Sequence, residues 1–143
     1  MLSRRAFRYW FLAAAIYNIT WGTWTGLFPE MYFRWLGMTP PLKPIWQCVG
    51  MIVGVYGLGY YFIYRQPERY AALAYIGLLG KVLGPLGFGY AVLTSQLPAE
   101  FGYMLIANDL IWWPVFTMFL LKYGKHPFQS CGQSMERGED RLS

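Results

Sequence analysis

The sequence is poor in charge, in cysteine and in histidine, and each scarcity excludes something. Only 13% of its 143 residues are Asp, Glu, Lys or Arg, about half of the roughly 25% typical of a soluble domain. With 56% hydrophobic residues, such a chain cannot coat a water-facing surface, so a membrane protein is expected. Cys48 and Cys131 are the only cysteines, too few for a disulfide framework, and they are expected on opposite sides of the membrane. The single histidine, His126, lies in a polar C-terminal stretch. No all-protein zinc or haem site, and no bound metal, is therefore expected among the apolar segments. No nucleophile stands beside a base and no phosphate-cradling loop leads into a helix. No catalytic residue is assigned, and the chain reads as non-enzymatic.

What is present is length without polarity. Four stretches, Arg8 to Phe28, Ile45 to Tyr64, Leu73 to Thr94 and Gly102 to Lys122, can each cross a hydrocarbon core of about 30 Å at about 1.5 Å per helical residue. Barrel strands would be about ten residues long with alternating polarity, which these runs are not. The expected fold is all-α, an integral-membrane antiparallel four-helix bundle over residues 1–122, followed by a polar cytoplasmic tail at 123–143. The net charge of +5 reports topology rather than a nucleic-acid partner. Arg4, Arg5, Arg8, Arg65, Arg69, Lys122, Lys125, Arg137 and Arg141 fall on one side of such a bundle, against Arg34 and Lys43 on the other. The positive-inside rule then places both termini in the cytoplasm, for a bacterial inner membrane. SRRAF at the start has the look of a twin-arginine signal, but the apolar run continues well past Ala13–Ala15, so these arginines are read as orienting the first span.

Proline, glycine and aromatic residues punctuate the spans. Pro29 suits a first helical turn and Gly37 a stop, so Glu30 to Leu36 is expected as a short helix in the outer interface. Tyr32, Phe33 and Trp35 would then sit at headgroup level. Gly50, Gly54 and Gly57 share a face of the second span; Gly77, Gly80, Gly84 and Gly87 recur along the third. Lipid gives helices no hydrophobic reason to associate, so small-residue faces that allow close approach are expected to pack the second and third spans together. Ala14, Asn18, Gly22 and Thr25 form a further small, partly polar stripe on the first span.

One cation and one carboxylate interrupt the apolar runs. Lys81 in GLLGKVLGP lies about 14 Å from the cytoplasmic boundary, and Asp109 in NDLIWWP about 11 Å from the outer one. In a core about 30 Å thick they differ in depth by only about 5 Å. Two unanswered mid-membrane charges would cost about 5–7 kcal/mol, so a Lys81–Asp109 pair is expected, the alternatives being a neutral Lys81 or water around both groups. Pro85 and Pro114 cannot donate to the carbonyls of Lys81 and Leu110; Asn18 and Asn108 are candidate donors to them. Lys81, Asp109, Asn18 and Asn108 make up a buried polar centre, and Trp112, Trp113, Tyr17 and Trp21 a candidate aromatic wall for a ligand. Such a centre either locks helix register or recognises a ligand. As a proton or transport path it supplies one midplane station, with little polarity beyond it.

The blocks GLFPE, GMIVGVYGLGYY, GLLGKVLGPLGF and NDLIWWPVF resemble, over about residues 4–122, a group of small bacterial four-span membrane proteins loosely related to the DoxX-like proteins. The resemblance implies an accessory, non-catalytic subunit of a membrane redox assembly, with the bilayer and a membrane-protein partner or a second copy of the chain as neighbours. It transfers no catalytic residue. The function expected first is thus an accessory or scaffold subunit. The alternative is a binder of a lipophilic molecule, a lipid or quinone, at the Lys81 centre; no other cofactor is expected.

Overall fold

The computed structural model describes residues 2–40 and 42–124. The tail expected at 123–143, with His126 and Cys131, lies outside them except for Tyr123 and Gly124. Every regular element among the described residues is a helix: α1 (Arg4–Leu27), α2 (Met31–Trp35), α3 (Lys43–Arg65), α4 (Ala71–Leu93), α5 (Gly102–Asn108) and α6 (Trp113–Tyr123). Short 3-10 turns at Ala99–Phe101 and Leu110–Trp112 precede α5 and α6. Three stretches, Lys43–Arg65, Ala71–Leu93 and Ala99–Tyr123, are long and apolar enough to cross a membrane. Their outward faces carry large apolar side chains such as Val55, Leu79 and Leu86, all more than half exposed, as lipid-facing helices do. The helix α1 has the length for a span but is less apolar than these three, because Asn18, Thr20, Thr23 and Thr25 and several Trp and Tyr residues dilute its alkyl side chains.

Local chemistry sets the helix ends. The Ser3 hydroxyl caps α1 by accepting from the Ala6 amide at 3.1 Å, and Pro44 lies in the first turn of α3, where no amide donor is needed. Gly37 ends the segment after α2 in the left-handed region (φ 65°), which a side chain would disfavour. Charged contacts gather the start of α1, the α3–α4 turn and the end of α6 at one end of the molecule. Arg4 grips Glu68 at two points (2.6 and 3.0 Å), Arg8 donates to the Tyr64 carbonyl at 2.8 Å, and Lys122 donates to that of Leu2 at 3.3 Å. The Arg4 guanidinium holds the Glu68 carboxyl below its ordinary range.

Helix α1 lies along α3, and backbone touches backbone. A Cβ added at Gly22 would come within 2.5 Å of the Gly50 carbonyl and 2.7 Å of the Gly54 amide; one at Gly57 would meet the Ala15 carbonyl at 3.0 Å. The glycine face of α3 is therefore used by α1, with Ala14, Asn18, Gly22 and Thr25 all buried, and not by the glycines of α4. Helices α3 and α4 are neighbours through tyrosines instead. Tyr60 fills the space over Gly77, and the Tyr56 hydroxyl stands 3.8 Å from where a Cβ at Gly80 would be. These rings hold the two helices apart along part of their length. Gly87 faces open space and takes no part in packing.

Two aromatic clusters fill the interior. Phe7, Phe11, Tyr60, Phe116 and Phe119 join α1, α3 and α6, with the Phe11 ring 4.6 Å from Phe119 and 4.8 Å from Phe116. At the opposite end Phe33 packs against Trp46 (4.9 Å) and Phe101 (5.7 Å). The short helix expected between the first two spans is present as α2, with two of its three rings turned into the protein. Phe33 is buried and Tyr32 half-buried, its hydroxyl donating to the Phe101 carbonyl at 3.4 Å, while Trp35 alone of the three is mostly exposed. Burying a ring among aromatic partners removes more apolar area than laying it at an interface.

Candidate functional site: a polar cleft beside a helix break

The fourth apolar stretch, expected as one helix, is broken at Asp109. The amide of Trp112 bonds to the Asp109 carbonyl (3.2 Å) rather than one residue further back, so the Asn108 carbonyl has no helical donor. Pro114 then starts α6 in a first-turn position instead of kinking a continuous helix. Side chains answer the carbonyls released on this segment and on α4. Lys81 Nζ donates to the Asn108 carbonyl at 2.5 Å, and the Trp112 indole to that of Ala107 at 3.1 Å. On α4, Pro85 leaves the Lys81 carbonyl free, and the Trp113 indole donates to it at 3.1 Å. The donors are thus two tryptophans and the lysine, and not the asparagines expected in that role.

The structure brings Lys81 and Asp109 together. Nζ and Oδ1 are 3.7 Å apart, with side chains 5% and 11% exposed. Gly84 makes room for the carboxylate: a Cβ there would be 3.1 Å from Asp109 Oδ2. The Asn108 amide nitrogen donates to Asp109 Oδ1 at 3.3 Å. The Lys81 ammonium also stands 5.9 Å from the rings of Tyr60 and Trp112, near the outer limit for a cation–π contact.

Magnitudes show how the charges are tolerated. At the 3.7 Å separation and an effective dielectric of about 20, the pair attracts by about 4.5 kcal/mol. The ammonium's hydrogen bond to the Asn108 carbonyl adds about 1.5–3 kcal/mol. Together these match the insertion cost of about 5–7 kcal/mol for two central charges.

Beside the pair is a cleft of about 290 Å³, bounded by α3 and α4 and reaching Asn18 of α1. Its polar part is Asn18, Lys81, Asn108 and Asp109; Tyr56 and Tyr60 wall one side, and Gly77, Gly80 and Gly84 lie along the other. Asn18 is 2% exposed, and its Oδ1 has no hydrogen-bond partner among the described residues; neither has Asn108 Oδ1. Unanswered buried polar atoms are rare in native structures and each costs about 1–3 kcal/mol.

The expected aromatic wall is not at this cleft. Trp112 is buried against Tyr17 (5.7 Å) and Trp10 (6.2 Å), Trp113 is committed to the Lys81 carbonyl, and Trp21 packs on Trp46 (6.2 Å). None of Trp112, Trp113, Tyr17 and Trp21 lines the cleft. An indole beside a helix break serves best as a donor to a freed carbonyl, and that commitment turns it inward. The wall consists of Tyr56 and Tyr60, four residues apart on one face of α3. Their four-residue spacing is legible in the sequence, but aromatic residues at helical spacing serve packing equally well.

Among the described residues, no three His, Cys, Asp or Glu side chains converge as metal ligands do. Compared with family models, with curated proteins and with solved structures, the chain finds no match.

Proposed function

We propose that the chain is a multi-pass protein of the bacterial cytoplasmic membrane, an antiparallel four-span bundle with α1 as the additional span and both termini inside. Its function is to bind a lipophilic small molecule, a lipid or quinone, at the cleft beside Lys81. The 24 residues of α1 extend about 36 Å, enough to cross, and its arginines lie at the end that also holds Arg65, Arg69 and Lys122. Outward display of a C-terminal reporter would overturn that orientation.

The observation that carries the function is Asn18, a buried amide with an unanswered oxygen, set in a cleft with an ion pair and a broken helix. Irregular backbone at membrane depth is tolerated where it lines a cavity, and ligand sites of membrane proteins use such breaks. Of the two functions suggested by the sequence, binding is favoured over a scaffold role. Register locking would be served by polar groups that satisfy one another, whereas these do so only in part. An accessory role in a DoxX-like assembly remains compatible with a bound molecule.

The test is extraction into polymer-bounded native nanodiscs and mass spectrometry of the retained lipids and quinones. Wild type should hold a species enriched over bulk membrane. The double variant Lys81→Met/Asp109→Asn, which removes the charges together, should fold and lose it. Retention matching bulk lipid in both proteins would defeat the proposal.

A further inference from the structure

The hydrogen-bonding inventory of the cleft narrows what can fill it. Lys81 Nζ carries three protons and makes one close hydrogen bond, to the Asn108 carbonyl, so it can donate further. The buried atoms left without a partner among the described residues are both acceptors. Asn108 Oδ1 has no partner, and because the amide nitrogen of that residue donates to Asp109 its orientation is fixed with the oxygen as acceptor. Asn18 Oδ1 is also unanswered. An anion finds no net charge here, since Asp109 already offsets Lys81 within the site. Lys81 is also about 15 Å along α4 from its first residue, too deep for a phosphate headgroup to reach without a large desolvation cost. A ketone or ether oxygen accepts from Lys81 but leaves the amide oxygens unanswered. A hydroxyl accepts from the ammonium and donates to an amide oxygen at once.

A second cavity indicates the rest of the molecule. An apolar groove of about 340 Å³ between α3 and α4 is lined by Val55, Leu58, Gly59, Phe62, Leu73 and Ile76, and shares Tyr56 and Tyr60 with the polar cleft. It lies toward the Arg65 end of α3. We infer that the site takes a neutral, hydroxyl-bearing lipophile, its hydroxyl between Lys81 and Asn18 and its hydrocarbon in the Val55–Leu73 groove. This rests on the binding function proposed above and adds the chemical class and direction of the ligand.

The experiment loads phospholipid nanodiscs of the full chain with 1-dodecanol, its methyl ether or dodecanoate, and measures retention by native mass spectrometry. The alcohol should be retained about tenfold more than the ether, the effect of an unmade hydrogen bond, and more than the carboxylate. Asn18→Leu, close in shape, should erase the alcohol–ether difference. Gly59→Leu should fill the groove, where an added Cβ meets only Leu73, at 3.7 Å, and an unchanged unfolding midpoint checks that the variant folds. It should weaken retention of dodecanol but not of 1-butanol. Equal retention of alcohol and ether, or preference for dodecanoate, would overturn the hydroxyl inference while leaving binding intact. Retention of no probe, with no enriched endogenous species, would sink the inference and the binding function together.

Discussion

Removing either member of the Lys81–Asp109 pair should do more harm than removing both. Lys81→Met leaves a carboxylate that is 11% exposed without its cation and takes the donor from the Asn108 carbonyl. Asp109→Asn leaves the ammonium without its anion. Breaking a buried pair from one side costs about 3–5 kcal/mol, a large share of a domain's 5–15 kcal/mol. In the double variant no charge remains, and the main loss is the unanswered Asn108 carbonyl, worth about 1–3 kcal/mol. Independent effects would instead total about 6–10 kcal/mol, so the double-mutant cycle should return a coupling of at least about 3 kcal/mol. Reversible unfolding by a denaturing detergent in mixed micelles, followed by tryptophan fluorescence, provides the four free energies. Additive single effects, or single effects below about 1 kcal/mol, would refute the claim that the two charges neutralise each other inside the protein.

Three further outcomes are expected. Gly22→Ala drives a Cβ into backbone atoms of Gly50 and Gly54 and should cost at least about 1–3 kcal/mol, whereas Gly87→Ala, facing open space, should be neutral; equal unfolding midpoints would contradict the α1–α3 contact. Trp113→Phe removes the donor to the Lys81 carbonyl and should cost about 1–3 kcal/mol in the same unfolding assay, where a loss below about 0.5 kcal/mol would show that the indole is not needed. The Glu68 carboxyl is held low by Arg4, so its contribution is complete above the ordinary carboxylate pKa of about 4.3. It should fade as pH falls through the lower folded value, and Glu68→Gln should remove that part of the acid dependence of the unfolding midpoint.

Local sequence determined the helices, because length and polarity are properties of a segment alone. The boundaries of α3 and α4 follow from apolar runs ending at Arg65 and Thr94, and the meeting of Lys81 with Asp109 follows from counting residues along the two segments. Proline positions likewise marked the Lys81 carbonyl as unpaired. Only tertiary structure decided which groups answered which. The glycines of α3 met α1 rather than α4, since the small stripe of Ala15 and Gly22 permits backbone contact while Tyr56 and Tyr60 keep α4 away. The break at Asp109 was likewise invisible in the apolar pattern. A helix can surrender its own hydrogen bonds inside a membrane only where other donors replace them: Lys81 and the Trp113 indole do so across the contact with α4, and the Trp112 indole does so within its own segment. The cleft arises from that combination of close contact on one side of α3 and tyrosine-spaced contact on the other.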